Sequence, residues 1–111
     1  MPFSVAGSSL DGVVTLRVSG DLDLATAPEL QKAGDGALAE SSCRTLRLHI
    51  GEVGFIDSTG LAVLIGLRNN ALSGAKRMVV DSPSAAVSRL LELSGLVTVF
   101  EIQPAPLSPG L

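Results

Sequence analysis

The chain has 111 residues, a formal net charge of −3 and 46% hydrophobic residues, which suits one compact domain with its own core. A pI of about 4.9 argues against a nucleic-acid backbone or an anionic membrane surface as partner, since both require a basic face. Cys43, the only cysteine, cannot form an internal disulfide, and the longest apolar run, Leu61 to Leu67, is far too short to span a bilayer.

Phe3 and Val5, then Asp11-Gly12, then Val13 to Val18 predict strand, turn and strand, because Asp-Gly accepts the positive φ of a hairpin turn. Val14, Leu16 and Val18 alternate with Val13, Thr15 and Arg17, so one face of the second strand is the more apolar. Gly20-Asp21-Leu22-Asp23 is expected to break that strand. Thr26 is then the expected N-cap of a helix, with Pro28 and Glu29 in its first turn. Ala27, Leu30, Ala33, Ala37 and Leu38 recur at helical spacing, against which Gly34 and Gly36 each cost about 1 kcal/mol relative to Ala.

Leu46, Leu48 and Ile50 alternate with Arg47 and His49 in the next strand. Gly54-Phe55-Ile56-Asp57-Ser58-Thr59-Gly60-Leu61 follows, where a strand turns into a helix. Leu61, Leu64, Ile65 and Leu72 make the apolar stripe of that helix, and Ser73-Gly74 ends it with Gly suited to a left-handed C-terminal position. Met78 to Val80 is a short strand. Asp81 or Ser82 is the expected cap of a third helix, with Pro83 in its first turn and Val87, Leu90 and Leu91 on its apolar face. Ser94-Gly95 stops it, and Val97 to Phe100 is the predicted last strand. Gln103 to Leu111 carries three of the six prolines and no charge, and is expected to be a tail. The order β-β-α-β-α-β-α-β predicts an α/β fold, a mixed and mostly parallel sheet opened by a hairpin.

Enzyme chemistry finds little support. A serine nucleophile needs an adjacent base, and the only histidine, His49, falls within a predicted strand. Ser58 lacks the Gly-x-Ser-x-Gly elbow. No Cys/His spacing suits a metal, and no glycine-rich phosphate loop occurs, so no cofactor is expected. Asp57-Ser58-Thr59-Gly60 has a plain reading as a helix cap, because Asp, Ser and Thr all serve there. It also has a functional reading. Loops past the carboxyl ends of parallel strands form the working edge of open α/β sheets, and Asp21, Asp23, Asp57 and Ser58 share one edge if their strands are parallel neighbours.

Gly20-Asp21-Leu22-Asp23, Phe55-Ile56-Asp57-Ser58-Thr59-Gly60-Leu61 and Leu93-Ser94-Gly95-Leu96 together closely resemble the STAS domain of bacterial anti-sigma factor antagonists. The resemblance runs over residues 3–102 and leaves 103–111 as a flexible C-terminal tail. Its most specific part is Asp-Ser-(Ser/Thr)-Gly-Leu. In that family the serine after the aspartate is phosphorylated, which implies Ser58 as the phosphosite, with Thr59 as a competing hydroxyl. The resemblance further implies an anti-sigma factor serine/threonine kinase as partner, bound through Asp21, Asp23, Asp57, Ser58 and Thr59, and a PP2C-type phosphatase that reverses the modification. The unphosphorylated form would bind the kinase and free a sigma factor. STAS domains also serve as scaffold subunits of lipid-transport and stress-sensing assemblies, which is the alternative reading. Without a signal-peptide pattern, the expected location is the cytoplasm. Leu22 and Leu24, read as exposed, leave room for a weak homodimer.

Overall fold

The computed structural model of the protein describes residues 2–106. The predicted element order holds: β1 (Ser4–Leu10), β2 (Val13–Leu22), α1 (Ala27–Ala39), β3 (Thr45–Ile56), α2 (Ser58–Ser73), β4 (Arg77–Asp81), α3 (Ala85–Leu93) and β5 (Glu101–Gln103). The five strands form one sheet in the order β1-β2-β3-β4-β5. β1 and β2 are antiparallel, while β2–β3, β3–β4 and β4–β5 are parallel. Helices supply the crossovers that parallel neighbours require.

The hairpin forms where Asp11-Gly12 predicts it. Leu10 pairs with Val13, and both turn residues have positive φ, 51° and 82°, which matches the twist of the flanking strands. β2 does not break at Gly20. It runs on to Leu22 through register irregularities between Arg17 and Ser19 and between Gly20 and Asp21, and Gly20 takes φ 95° at the second of them. The bulged strand stays paired because β3 also runs on, to Ile56, and offers partners to Asp21 and Leu22.

Leu22, Leu30, Leu46, Leu48, Ile50, Leu64, Leu67 and Leu91 are at most 1% exposed and bind strands and helices into one core, each buried Leu or Ile contributing about 1.5–3 kcal/mol. The expected exposure of Leu22 is therefore wrong, while Leu24 is 74% exposed. The buried stripe of α2 is Gly60, Val63, Leu64, Leu67 and Ala71, and Leu72 faces solvent. α1 crosses α2 closely, since a Cβ on Gly34 would lie 2.5 Å from a methyl of Leu67. Gly34 is thus a packing glycine, not merely a poor helix former.

The C-terminus of α2 and the N-terminus of α3 differ from expectation. Gly74 has φ −92°, and the left-handed residue after α2 is Ala75, with φ 56°. An L-residue other than Gly is disfavoured there. Ala75→Gly is expected to stabilise the domain by about 0.5–1 kcal/mol, read as a higher denaturation midpoint at unchanged slope. α3 is capped by Ser84, whose Oγ accepts from the Val87 N–H at 3.2 Å, and not by Asp81 or Ser82. Asp81 ends β4 buried and paired with Arg47 at 2.9 Å. The C-terminus of α1 is held by Lys76, whose Nζ donates to the carbonyls of Leu38 and Glu40 at 2.6 and 2.9 Å, where the dipole of α1 favours a cation.

The last strand is Glu101–Gln103, not Val97 to Phe100, which form turns ahead of it. Its ladder with β4 sets its edge position. An exposed ion pair from Arg77 to Glu101 crosses the two strands, raises the Arg77 pKa and holds the Glu101 carboxyl below its ordinary value. Gln103 pairs with Asp81 and belongs to β5. Positions 107–111 of the predicted tail lie outside the described residues.

Candidate functional site at the carboxyl edge of the sheet

Parallel pairing of β2 with β3 sets Asp21 beside Phe55 and Leu22 beside Ile56. The Asp57 N–H then donates to the Leu22 carbonyl at 3.2 Å. The loop after β2 and the strand-to-helix turn after β3 therefore meet, and Asp21, Asp23, Asp57 and Ser58 do share one edge.

Asp57 is the N-cap of α2. Its backbone is extended, and Oδ1 accepts from the N–H groups of Thr59 and Gly60 at 2.9 and 3.0 Å. Two of the unpaired donors at the helix start are satisfied in this way. The capping reading of this stretch is thus correct as far as it goes. It also has a consequence for its neighbour: Ser58 becomes the first residue of the helix, exposed, while Asp57 and Thr59 are half-buried. Of the two candidate hydroxyl residues, Ser58 is the more accessible to a docked protein. Asp57→Ala is expected to cost about 1 kcal/mol of stability, and Asp57→Asn, which keeps a capping oxygen, should recover most of it in the same thermal melt.

Asp23 organises the facing loop. Its Oδ1 accepts from the N–H groups of Ala25 and Thr26 at 3.0 and 3.2 Å. Thr26 stands at the N-cap position of α1 but makes no side-chain cap bond to the helix. Its hydroxyl instead donates to the Asp21 carbonyl at 2.7 Å and accepts from the Asp23 N–H at 2.9 Å. Thr26 is therefore a latch on the acidic loop, a role that its spacing from Asp23 hints at but that helix-cap reasoning misassigns. Asp21 is exposed, and its side chain lies toward Gly54, where a Cβ would sit 3.8 Å from Oδ1.

Two further residues belong to this edge: Leu24, whose expected exposure the structure shows, and Phe55, which is part of the sequence motif but is not predicted from it as a binding residue. Leu24 and Phe55 are 74% and 51% exposed, which leaves apolar surface in the loop and strand that carry the acids. An edge of this composition, carboxylates around an exposed hydroxyl with apolar side chains beside them, can dock a protein and present a hydroxyl to it. His49, by contrast, lies within β3, opposite Arg17 and Asp81 in the ladders, and among the described residues no group of His, Cys, Asp and Glu is arranged to hold a metal. No described helix is long and apolar enough to cross a membrane.

The chain is similar in sequence and fold to known proteins. The family model described as "Mlab, STAS domain" matches residues 6–103. An anti-sigma F factor antagonist of Paenibacillus polymyxa is 33% identical over 93 residues, 84% of this chain and 77% of that protein. An anti-sigma-B factor antagonist of Listeria monocytogenes is 30% identical over 90 residues, 81% of this chain and 78% of its own length. The crystal structure of an anti-sigma factor antagonist from Mycobacterium paratuberculosis superposes with a TM-score of 0.83 at 28% identity, covering 94% of this chain and 87% of that one. With the fold, the acidic loop and the Asp-Ser-Thr-Gly helix start all in place, this chain belongs to the STAS domain family.

Proposed function

We propose that this protein is an anti-sigma factor antagonist that works by partner switching. Its unmodified form binds an anti-sigma factor serine/threonine kinase and thereby frees a sigma factor. The kinase then transfers phosphate from ATP to Ser58 Oγ, the complex dissociates, and a PP2C-type phosphatase resets the protein. The observation that carries this reading is the exposure of Ser58 at the first position of α2, on the edge where Asp21, Asp23, Leu24 and Phe55 also lie. The names of the relatives support the antagonist role.

Each residue has a part in the proposal. Asp57 holds the helix start, so that Ser58 is presented on a rigid element. Asp23 and Thr26 hold the loop, and Asp21 with the free oxygens of Asp23 and Asp57 meets cationic or N–H groups of the kinase. Leu24 and Phe55 supply apolar burial. Thr59, half-buried behind Ser58, lines the contact and does not take the phosphate.

The deciding experiment is phosphorylation by the cognate anti-sigma kinase with ATP, followed by mass-spectrometric site mapping. One phosphate on Ser58, and none on a Ser58→Ala chain, is the expected result. Label retained by Ser58→Ala would move the site to Thr59. Binding that is indifferent to ATP would favour a scaffold role, which uses the same docking edge without hydroxyl chemistry.

A further inference from the structure

The sheet has two edges, and they are protected unequally. β5 is three residues long, carries the ion-paired Glu101, and is followed at once by Pro104. Short length, charge and proline are the usual ways of blocking an edge. β1 has none of them. It is seven residues long, Ser4-Val5-Ala6-Gly7-Ser8-Ser9-Leu10, without charge or proline, and it pairs with β2 in unbroken register, so no bulge twists it away. Five of its last six residues are exposed on both faces of the alternation, and the sixth is Val5 at half burial.

The hairpin fixes which main-chain groups are unpaired. With a two-residue turn, Leu10 and Val13 exchange both hydrogen bonds, and bonded pairs recur at every second position, through Ser8, Ala6 and Ser4. The N–H and C=O groups of Val5, Gly7 and Ser9 therefore point away from β2. We infer that this edge pairs with β1 of a second copy, antiparallel about a twofold axis at Gly7, to give one continuous ten-stranded sheet.

Gly7 at the axis is the register that overlaps all seven residues. It sets Val5 against Ser9 of the second copy and Gly7 against its own counterpart, and all of these are outward-pointing, so the hydrogen-bonded pairs fall in phase. On the core side a large residue meets a small one. On the other side Ala6 meets Ser8, and Leu10, 75% exposed in the single chain, meets Ser4. A second copy is the occupant for two reasons. The strand complements itself in size and hydrogen bonding, and it brings no charge to the contact although the chain carries a net charge of −3. The groove between β1 and α1, bordered by Gly7, Ser9, Gly36 and Ala37 with the exposed Glu40 at its rim, leaves space for the incoming Val5, since a Cβ on Gly36 would meet nothing within 4 Å. This edge is separate from the Asp57–Ser58 edge and does not depend on the switch.

The test is sedimentation equilibrium of the full chain with two designed variants. Ala6 and Ser8 are exposed, so both accept charge without a folding cost, and unchanged far-UV circular dichroism checks this. In the inferred register, A6E/S8E sets like charges opposite each other twice, and A6E/S8K sets opposite charges. Wild type is expected to approach twice the monomer mass of 11.3 kDa with a dissociation constant of roughly 10–100 μM, as suits a small interface. A6E/S8E should dissociate at least about tenfold more readily, and A6E/S8K should remain a dimer. A wild type that stays monomeric to about 1 mM overturns the inference. So does an A6E/S8E chain that dimerises as well as wild type, and an A6E/S8K chain that weakens as much as A6E/S8E overturns the register.

Discussion

Phosphorylation of Ser58 is expected to weaken binding to the anti-sigma kinase about 100-fold, while the stability of the domain changes by less than about 1 kcal/mol. The first number follows from what the kinase must do. To transfer a phosphoryl group it has to hold its nucleotide in line with Ser58 Oγ, so the product complex leaves a phosphoserine facing the terminal phosphate of ADP. Two unit charges about 5 Å apart at an effective dielectric near 20 repel by roughly 3 kcal/mol, which is about 100-fold. The second number follows from the site itself. Ser58 is exposed, so water screens the new charge in the free protein. The dipole of α2 favours an anion at this end, while the Asp57 carboxylate, which already takes the N–H groups of Thr59 and Gly60, opposes it. These two influences are similar in size and opposite in sign. Calorimetric titration of the kinase–ADP complex with modified and unmodified protein reads the first effect, and a thermal melt reads the second. Loss of binding together with a collapse in melting temperature would assign the switch to unfolding. Ser58→Asp should fall between the two forms, since one carboxylate carries less charge than a phosphate.

The order of elements was legible because hydrophobic spacing changes cleanly from period two in Val14-Leu16-Val18 and Leu46-Leu48-Ile50 to helical spacing in α1 and α3. The ends of elements were less legible, for a common reason. Asp21 and Leu22 look like loop residues in isolation, yet β3 extends alongside and keeps them in the sheet, so a tertiary pairing overrides poor strand propensity. Asp81 looks like a helix cap, but its buried carboxylate pairs with the partly exposed Arg47 inside β4. Ala75 takes a left-handed φ that composition assigns to Gly74. The centre of the site was legible because its chemistry is local: an Asp that caps its own helix leaves the next residue at the surface. The rim was not. Whether Leu22 or Leu24 is the exposed leucine depends on a bulge at Gly20, and nothing local to either residue decides it. The assignment of Thr26 as a latch needs the carbonyl of Asp21 to be brought within 2.7 Å, which the bulged end of β2 arranges.

Gly60→Ala is expected to destabilise the domain by up to about 2 kcal/mol and to slow phosphorylation of Ser58 by roughly 10–100-fold. In helix propensity alone the change should help, by about 1 kcal/mol. Packing reverses the sign. A Cβ at position 60 would lie 2.7 Å from the Leu22 carbonyl oxygen, 2.8 Å from the Leu22 Cγ and 2.9 Å from Ile56 Cγ1. The first of these is main chain, already bonded to the Asp57 N–H, and cannot rotate aside. Relief has to come from moving the first turn of α2 outward, at an overpacking cost of about 1–3 kcal/mol. That motion strains the Asp57 cap on the Gly60 N–H and shifts Ser58 relative to Asp21 and Asp23, the surface that would orient it toward the kinase. Gly36→Ala is the matched control, because it adds the same methyl to an exposed helical site with nothing within 4 Å, and it should stabilise by about 1 kcal/mol. Opposite shifts of the two variants in urea denaturation, with slowed phosphorylation confined to Gly60→Ala, would show that the close seating of α2 on the ends of β2 and β3 is what aims the hydroxyl. If both variants gain stability and Gly60→Ala is phosphorylated at the wild-type rate, the helix start has slack and Ser58 does not depend on that seating.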